Sequence, residues 1–539
     1  MSEHDFSFVC GSSIRSIKCR KQHRSGNQDS GTLLLLQTSK QRTMSQQPES
    51  SLKTADDLPD TVLLKILSYL PSEYLVHFAS RICSRWQTLC GDYSVWQGKE
   101  YVVTDIGITR EDSEVACALQ QCPGVRHVKF LRQVKPSVLQ AVGFDGMLQT
   151  LVFHPAQQIS TEVLHQLFER CPHIVALGVP SDVLKRSDCA QLVASLECLQ
   201  QLAVKAENRA GLNLGVLSEG CPHITDVDAM EVVCNPVSLT SFLKKKGSQL
   251  HALSLCGMTT NGESVLPLLE PCHTNLKKLC ITLEKARAKG FSSTLPLLGR
   301  FEAIVELKLL EVPGKVSNEL TEAFSGNGLR HLKSACFRDM HGLRGASLAA
   351  LLRDRPELQH LDISGCMQIE DSDLVIALSA TEPDPLPLLS INLSSCGKLT
   401  DTSLIEVVQR CPKLQELHLC ACLTLKEKAL HPVAGLTDLR VLDVSRCYNI
   451  KEWWKPLLEL HQLRWINVSY LTVVPDRLEQ IIKQNKFLRY IGLQFCNGFD
   501  EITCERVLKA NPQLELNYDT EYIKQKWQQP NELTLSLLD

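Results

Sequence analysis

The most constraining feature of this sequence is a repeat. The frame Leu-x-x-Leu-x-Leu, with related apolar residues allowed at each place, recurs from Val125 onward at Leu148, Ile174, Leu199, Ile224, Leu250, Leu276, Ile304, Leu329, Leu358, Leu388, Leu414, Leu439, Leu463, Leu488 and Leu514. Most intervals lie close to 25 or 26 residues, and the frames at Ile224 and Leu329 are poor, so sixteen copies is an upper count. One such unit is too short to bury both faces of a strand and a helix. Stacked units bury a continuous core between a parallel sheet and an outer row of helices, which predicts an α/β solenoid over residues 122–518. With neighbouring strands about 4.8 Å apart, sixteen strands would trace an arc on the order of 75 Å.

The cysteines follow the same frame. There are 23 in 539 residues, with no Cys-x-x-Cys pair; Cys420-x-Cys422 is the closest spacing. Cys366, Cys422 and Cys447 each stand eight residues after a frame leucine, and Cys122, Cys171, Cys221 and Cys411 each precede a proline just before a strand. Recurrence at fixed places fits small buried hydrophobes better than metal or redox centres. No secretory signal supports extracellular disulfides, and a reduced intracellular setting, cytoplasmic and/or nuclear, fits best. This pattern resembles the cysteine-containing class of leucine-rich repeats.

Ahead of the repeats lies a different unit, DLPDTVLLKILSYLPSEYLVHFASRICSRWQTLCGDYSVW, from Asp57 to Trp96. Val62, Leu63, Ile66, Leu67 and Leu70 recur at helical spacing, Pro71 breaks that run, and a second run follows through Leu75, Phe78, Ala79, Ile82, Trp86 and Leu89. Two or three small helices in forty residues carry more apolar surface than they can hide internally. The periodicity alone fits either a docking module that completes its core on a partner or a helical cap on the repeats.

Leu58-Pro59, Ile66-Leu67-x-x-Leu70-Pro71, Leu75, Ile82-Cys83-x-x-Trp86 and Trp96 resemble an F-box, with Ile82 where the family often has valine. The resemblance covers residues 53–100. It implies binding to a Skp-family adaptor and, through it, to a cullin and its RING subunit. On matching positions, Leu58, Pro59, Leu63, Ile66, Leu67, Leu70, Pro71, Leu75 and Trp86 would form or support the adaptor-binding surface. The combination with the repeats resembles the F-box/leucine-rich-repeat family, which implies a substrate-recognition subunit of a ubiquitin ligase, not an enzyme, with a protein as its target. The alternative is a repeat scaffold or inhibitor that sequesters a partner without ubiquitin transfer.

The remaining regions constrain less. Residues 1–52 are rich in Ser, Gln, Lys and Arg and read as disordered; Lys18 to Arg24 fits either a solvated basic cluster or a weak nuclear-import signal, and Met44 is a candidate second start. Residues 101–121 read as a linker, Thr381 to Pro387 as a proline-rich surface loop, and 519–539 as a cap or as an extended tail on the concave face. A net charge of −3 gives a general nucleic-acid role no support, and no apolar run reaches membrane-helix length. No phosphate loop, metal cluster or nucleophile motif stands out, so no cofactor is expected.

A target would meet the side chains lying between the frame leucines. In the regular half these form two columns. His360, Glu416, Trp465 and Tyr490 belong to the first, and Asp362, Asn392, His418, Asp443 and Asn467 to the second. Trp465 and Tyr490 are expected to be exposed on adjacent strands, as aromatic hot spots often are, unless the tail covers them. Asp362, His418 and Asp443 lack a pocket or nucleophile and read as solvated polar residues, not as acid–base catalysts. Lys205, Lys278 and Lys308 are too sparse for a basic pocket.

Overall fold

The computed structural model describes residues 58–518, apart from 105–110, 122–123, 144–145, 207–210, 284–289, 354 and 380–384. The disordered-segment, nuclear-import and second-start readings before residue 52, the tail after 518 and most of the proline-rich loop lie outside these residues.

Four short α-helices come first among the described residues: α1 (Asp60–Ser68), α2 (Ser72–His77), α3 (Ser84–Cys90) and α4 (Tyr93–Trp96). Pro59 and Pro71 stand immediately before α1 and α2, where a missing N–H costs nothing. Leu63, Leu67, Leu75, Val76, Trp86 and Trp96 fill the space between the helices. Arg85 fastens α3 to the start of α1 through Asp60 Oδ1 (2.6 Å) and the Leu58 carbonyl (2.6 Å), and the Trp96 indole donates to the Cys90 carbonyl (2.6 Å).

Among the described residues a 17-stranded sheet follows, every strand parallel to its neighbour and paired with the next strand of that sheet in sequence. The α/β stack of strands and outer helices expected from the repeat is therefore the fold. Two frames move. The strand expected from Leu329 is Ser334–Cys336, so the working frame is Leu332-x-x-Ala335-x-Phe337; small Ala335 in the central place weakens the sequence signal. The last strand, Glu515–Asn517, pairs Leu516 with Ile491, which shifts the Leu514 frame by one residue. The stretch 101–121, read as a linker, supplies the first strand, Tyr101–Val103, and a helix, Asp112–Gln121. A small extra sheet pairs Gly211–Leu212 with Val233–Cys234.

The outer row is not helical throughout. Leu266–Cys272, Ser292–Arg300 and His431–Gly435 are 3-10 turns. Interior prolines account for the first two: Pro271 and Pro296 remove donors that an α-helix would need, whereas Pro267 and Pro432 stand in the first turn, where the missing N–H costs nothing. Where proline is absent from the interior, as in Asp401–Arg410 or Pro475–Gln484, the α-helix forms and buries one apolar stripe.

From the strand Glu306–Leu310 to the strand Tyr490–Gly492, the chain turns back toward the outer layer through one left-handed residue after each strand. In eight successive repeats this is Glu311, Asp339, Gly365, Ser395, Ala421, Arg446, Tyr470 and Phe495. At Gly365 the glycine is required for a second reason: a Cβ would stand 2.1 Å from Asp339 Oδ1. The next residue is often the repeat cysteine. Cys366, Cys396, Cys422, Cys447 and Cys496 are buried, and each thiol donates to a carbonyl of the preceding repeat, on Phe337, Ile363, Leu393, Leu419 and Val468, at 3.0–3.3 Å. Burial pushes the thiols of Cys366, Cys396, Cys422 and Cys496 up to about 12. These cysteines are packing elements.

Arg355 occupies the place of the cysteine in the Cys-Pro pairs and is buried. Its guanidinium donates to the carbonyls of Phe324, Leu329, Ala350 and Leu351 (2.8–3.1 Å) and lies over the Phe324 ring.

Candidate functional site

The first candidate surface is the outward side of α1 and α2. The apolar run of α1 divides. Leu63 and Leu67 point inward and are fully buried, whereas Val62 (41% exposed), Ile66 (41%) and Tyr69 (76%) form a second stripe at i, i+4 and i+7 on the water side. Tyr74 and Phe78, with ring centroids 5.4 Å apart, and Ile82 are also exposed. Of the residues chosen from the sequence, Pro59, Ile66 and Pro71 are exposed and Leu58 and Leu70 partly so. Leu63, Leu67, Leu75 and Trp86 are buried in the module's own core. A contact made by those four would require the module to open, so they can only hold the surface in shape. Val62, Tyr69, Tyr74 and Phe78 were missed. Their signal was the second apolar stripe beside the first, which a single-face reading of α1 merges.

The module is joined to the sheet without a break in the core. His77 on α2 pairs with the Tyr101 hydroxyl of the first strand (Nε2···O 2.8 Å). Arg126, leading into the second strand, lies over the Tyr93 ring on α4. Gly124 approaches so closely that a Cβ would stand 2.4 Å from the Gly91 carbonyl oxygen and 2.8 Å from the Trp96 ring. Burial, then the nearby Arg81, lowers the His77 imidazole to about 4, so it is neutral at pH 7.

The second candidate surface is the open face of the sheet. Strand register places His360, Ser390, Glu416, Val441, Trp465 and Tyr490 in one column and Asp362, Asn392, His418, Asp443, Asn467 and Gly492 in another. Trp465 and Tyr490 stack with centroids 5.1 Å apart and planes within 4°, both half-buried, and His418 lies 6.4 Å from Trp465. The Tyr490 hydroxyl accepts from Asn517 Nδ2 (2.8 Å), and its burial raises its pKa.

The second column is less free than its exposure in sequence implies. Asp362, Asn392, Asp443 and Asn467 each accept the backbone N–H two residues on, from Ser364, Ser394, Ser445 and Ser469, at 2.9–3.1 Å. These Asx turns fold the chain into the left-handed residue that follows. The signal was present as Asp/Asn-x-Ser. Asp362 also holds Arg338 (3.2 Å), Asp443 takes Asn467 Nδ2 (3.4 Å), and Glu416 accepts from Ser390 Oγ (3.0 Å). His418 is half-buried beside Trp465, and His360 is exposed.

The three lysines further back are neutralised. Lys205 meets Asp228 (3.0 Å) and Glu231 (3.5 Å), and although burial works against its charge, the two carboxylates hold its pKa above the ordinary value. Glu306 bridges Lys308 (2.5 Å) and Lys278 (3.6 Å). Among the described residues, no group of three or more His, Cys, Asp or Glu side chains is placed to hold a metal ion. No helix of the described residues is long and apolar enough to cross a membrane.

With this geometry in hand, comparison with known proteins assigns the helical module. The F-box-like family model matches residues 55–99, which covers α1 to α4. The module is an F-box-like domain. F-box/LRR-repeat protein 4 of Bos taurus is 32% identical over 80 residues, 15% of this chain and 13% of that protein. F-box/LRR-repeat protein 12 of Homo sapiens is 28% identical over 147 residues, 27% of this chain and 39% of that protein. The matched segments thus span well under two thirds of either relative, and together with the F-box-like domain they support an F-box/LRR-repeat family for the chain. Among solved structures, the yeast Rad7 and Elc1 complex aligns with 75% of this chain and 92% of its own at 16% identity and a TM-score of 0.46. The TLR13–ssRNA13 complex aligns with 78% of this chain and 62% of its own at 11% identity and a TM-score of 0.42.

Proposed function

We propose that this protein is the substrate-recognition subunit of a Skp–cullin–F-box ubiquitin ligase. The observation that carries the proposal is the divided apolar stripe of the F-box-like domain: one half makes the module's core and the other, Val62, Ile66 and Tyr69, faces water with Tyr74, Phe78 and Ile82. Apolar residues grouped on short helices are a surface for a partner, and an adaptor of the Skp family is the partner an F-box implies. Leu58, Pro59, Leu70 and Pro71 lie at the ends of the same helix and extend that surface.

The second half of the function is positional. The F-box-like domain shares a continuous core with the first repeats, through Trp96, Tyr101 and Val128 among others. A stiff joint limits the volume swept by a target held on the sheet, which raises its effective concentration at a ubiquitin-charged enzyme. The chain contributes proximity, and the covalent chemistry belongs to its assembly.

Affinity purification of the intact chain from cells, beside a Leu58→Ala/Pro59→Ala version, tests this. Adaptor and cullin recovered with the intact chain and lost from the variant support the receptor. Recovery of neither from the intact chain transfers the protein to the scaffold reading.

A further inference from the structure

The last repeats carry a feature that the adaptor surface and the aromatic pair do not account for. Arg440, Arg464 and Arg489 each follow a frame leucine and are exposed. They are strictly consecutive across the sheet: Arg464 N donates to the Arg440 carbonyl and Arg489 N to the Arg464 carbonyl, both at 2.8 Å. The three arginines therefore stand on adjacent repeats, their backbones at steps of about 4.8 Å. No carboxylate among the described residues pairs with Arg440, Arg464 or Arg489; the Arg489 guanidinium donates to the Lys486 and Leu488 carbonyls (3.3 and 3.1 Å). The lysines of the earlier repeats are a control on the same sheet, since each is matched by Asp228, Glu231 or Glu306.

The ladder adjoins the stacked rings. Trp465 follows Arg464 and Tyr490 follows Arg489 in sequence. The strip thus sets a row of exposed arginines one residue along the chain from an aromatic platform. Asp443 stands beyond that platform in the second column, and Glu416 and Glu515 stand in the rings' own column, on either side of the pair. A continuous polyanion lying on the rings would run over those carboxylates. A short acidic segment with an apolar side chain meets the arginines with its carboxylates and the rings with its apolar group, and keeps its charges off the ring column.

Resting on the receptor reading, we propose that the strip formed by Arg440, Arg464, Arg489, Trp465 and Tyr490 is the target-binding site and that its ligand is an extended acidic peptide segment bearing an aromatic or aliphatic side chain. Guanidinium groups bind carboxylates in a bidentate manner, and exposed pairs of this kind are screened by salt.

The test uses the full chain and a fluorescent probe, the peptide Ser-Glu-Phe-Asp-Glu-Leu-Asp-Ser, followed by polarisation. Its lysine-for-acid counterpart and a single-stranded oligonucleotide of twelve thymidines are compared with it. The acidic peptide is expected to bind and to weaken at least tenfold in R440E/R464E and at least fivefold in W465A/Y490A. The lysine peptide is expected not to bind. No binding of the acidic peptide, or equal binding to R440E/R464E with an unchanged melting temperature, overturns the proposal. Tighter binding of the oligonucleotide reassigns the strip to nucleic acid, and an arginine-dependent monomer–dimer shift without peptide reassigns it to a second copy; both overturn it. Adaptor recovery is read on the same variants. R440E/R464E retains the adaptor if the receptor reading stands, so an intact chain that recovers the adaptor but does not bind the peptide refutes only this proposal, and peptide binding without any adaptor refutes only the receptor.

Discussion

His77 makes the joint between the F-box-like domain and the sheet sensitive to acid in a way that can be worked out beforehand. Its pKa falls from 6.5 to about 4 on folding, through burial and then Arg81. Above pH 6.5 the ring is neutral in both states, so stability is fully present. As pH falls from 6.5 toward 4 the unfolded chain takes up a proton that the folded joint refuses, and stability is lost. Between pH 7 and pH 5 the loss is about 1.5–2 kcal/mol, and it changes little if the folded value is one unit higher. The carboxylates lowered by hydrogen bonds, such as Asp92, titrate below this window. A stacked-repeat chain opens in parts, so the local measurement is hydrogen exchange of peptides from α2 and the first strand. After correction for the intrinsic pH dependence of exchange, opening should be about 10- to 30-fold more frequent at pH 5 than at pH 7. His77→Leu should abolish most of that difference. An equal pH dependence in His77→Leu, or none in the intact chain, would refute the reasoning.

Three further outcomes follow from the packing. Ile66→Asp should leave stability within about 0.5 kcal/mol because the side chain already faces water, whereas Leu67→Ala, one residue on but fully buried, should cost about 2–5 kcal/mol; urea titration of the two variants checks this. Under native conditions a thiol reagent should label exposed Cys83 well before Cys366, Cys396, Cys422 or Cys496, whose thiols burial holds near 12, and mass spectrometry over time distinguishes them. Arg355→Ala should destabilise its repeat by about 3–5 kcal/mol, since it strands four carbonyls and opens a cavity, read as faster exchange in the strand His360–Asp362.

The sheet was legible because its signal repeats. Leu361, Ile391, Leu417, Leu442, Ile466 and Ile491 take the same buried place in successive strands, and any one of them announces the next. Where the central residue is small, as at Ala335, or the repeat lies before the run becomes regular, as at Tyr101–Val103, the pattern thins and the boundary was misplaced. The cysteine column was legible for the same reason of recurrence, although its hydrogen bonds to the preceding repeat were not. Two properties of the surfaces depended on geometry. The apolar arc of α1 is wide enough to serve a core and a surface at once, and only the packing of α3 and α4 decides that Leu67 belongs to the first and Ile66 to the second. The Asp/Asn column looked free because sequence shows the alternation of side chains but not the turns that claim Asp362, Asn392, Asp443 and Asn467. The arginine ladder was written as Leu-Arg at three successive frames, yet its lack of partners is a property of the folded face.

The most direct test of the receptor account is a titration of purified Skp-family adaptor into the intact chain, Ile66→Asp and R440E/R464E. The account predicts saturable one-to-one binding to the intact chain and to R440E/R464E, and a loss of at least a hundredfold in Ile66→Asp at unchanged melting temperature. Binding to Ile66→Asp as tight as to the intact chain, or no binding to the intact chain, would contradict it.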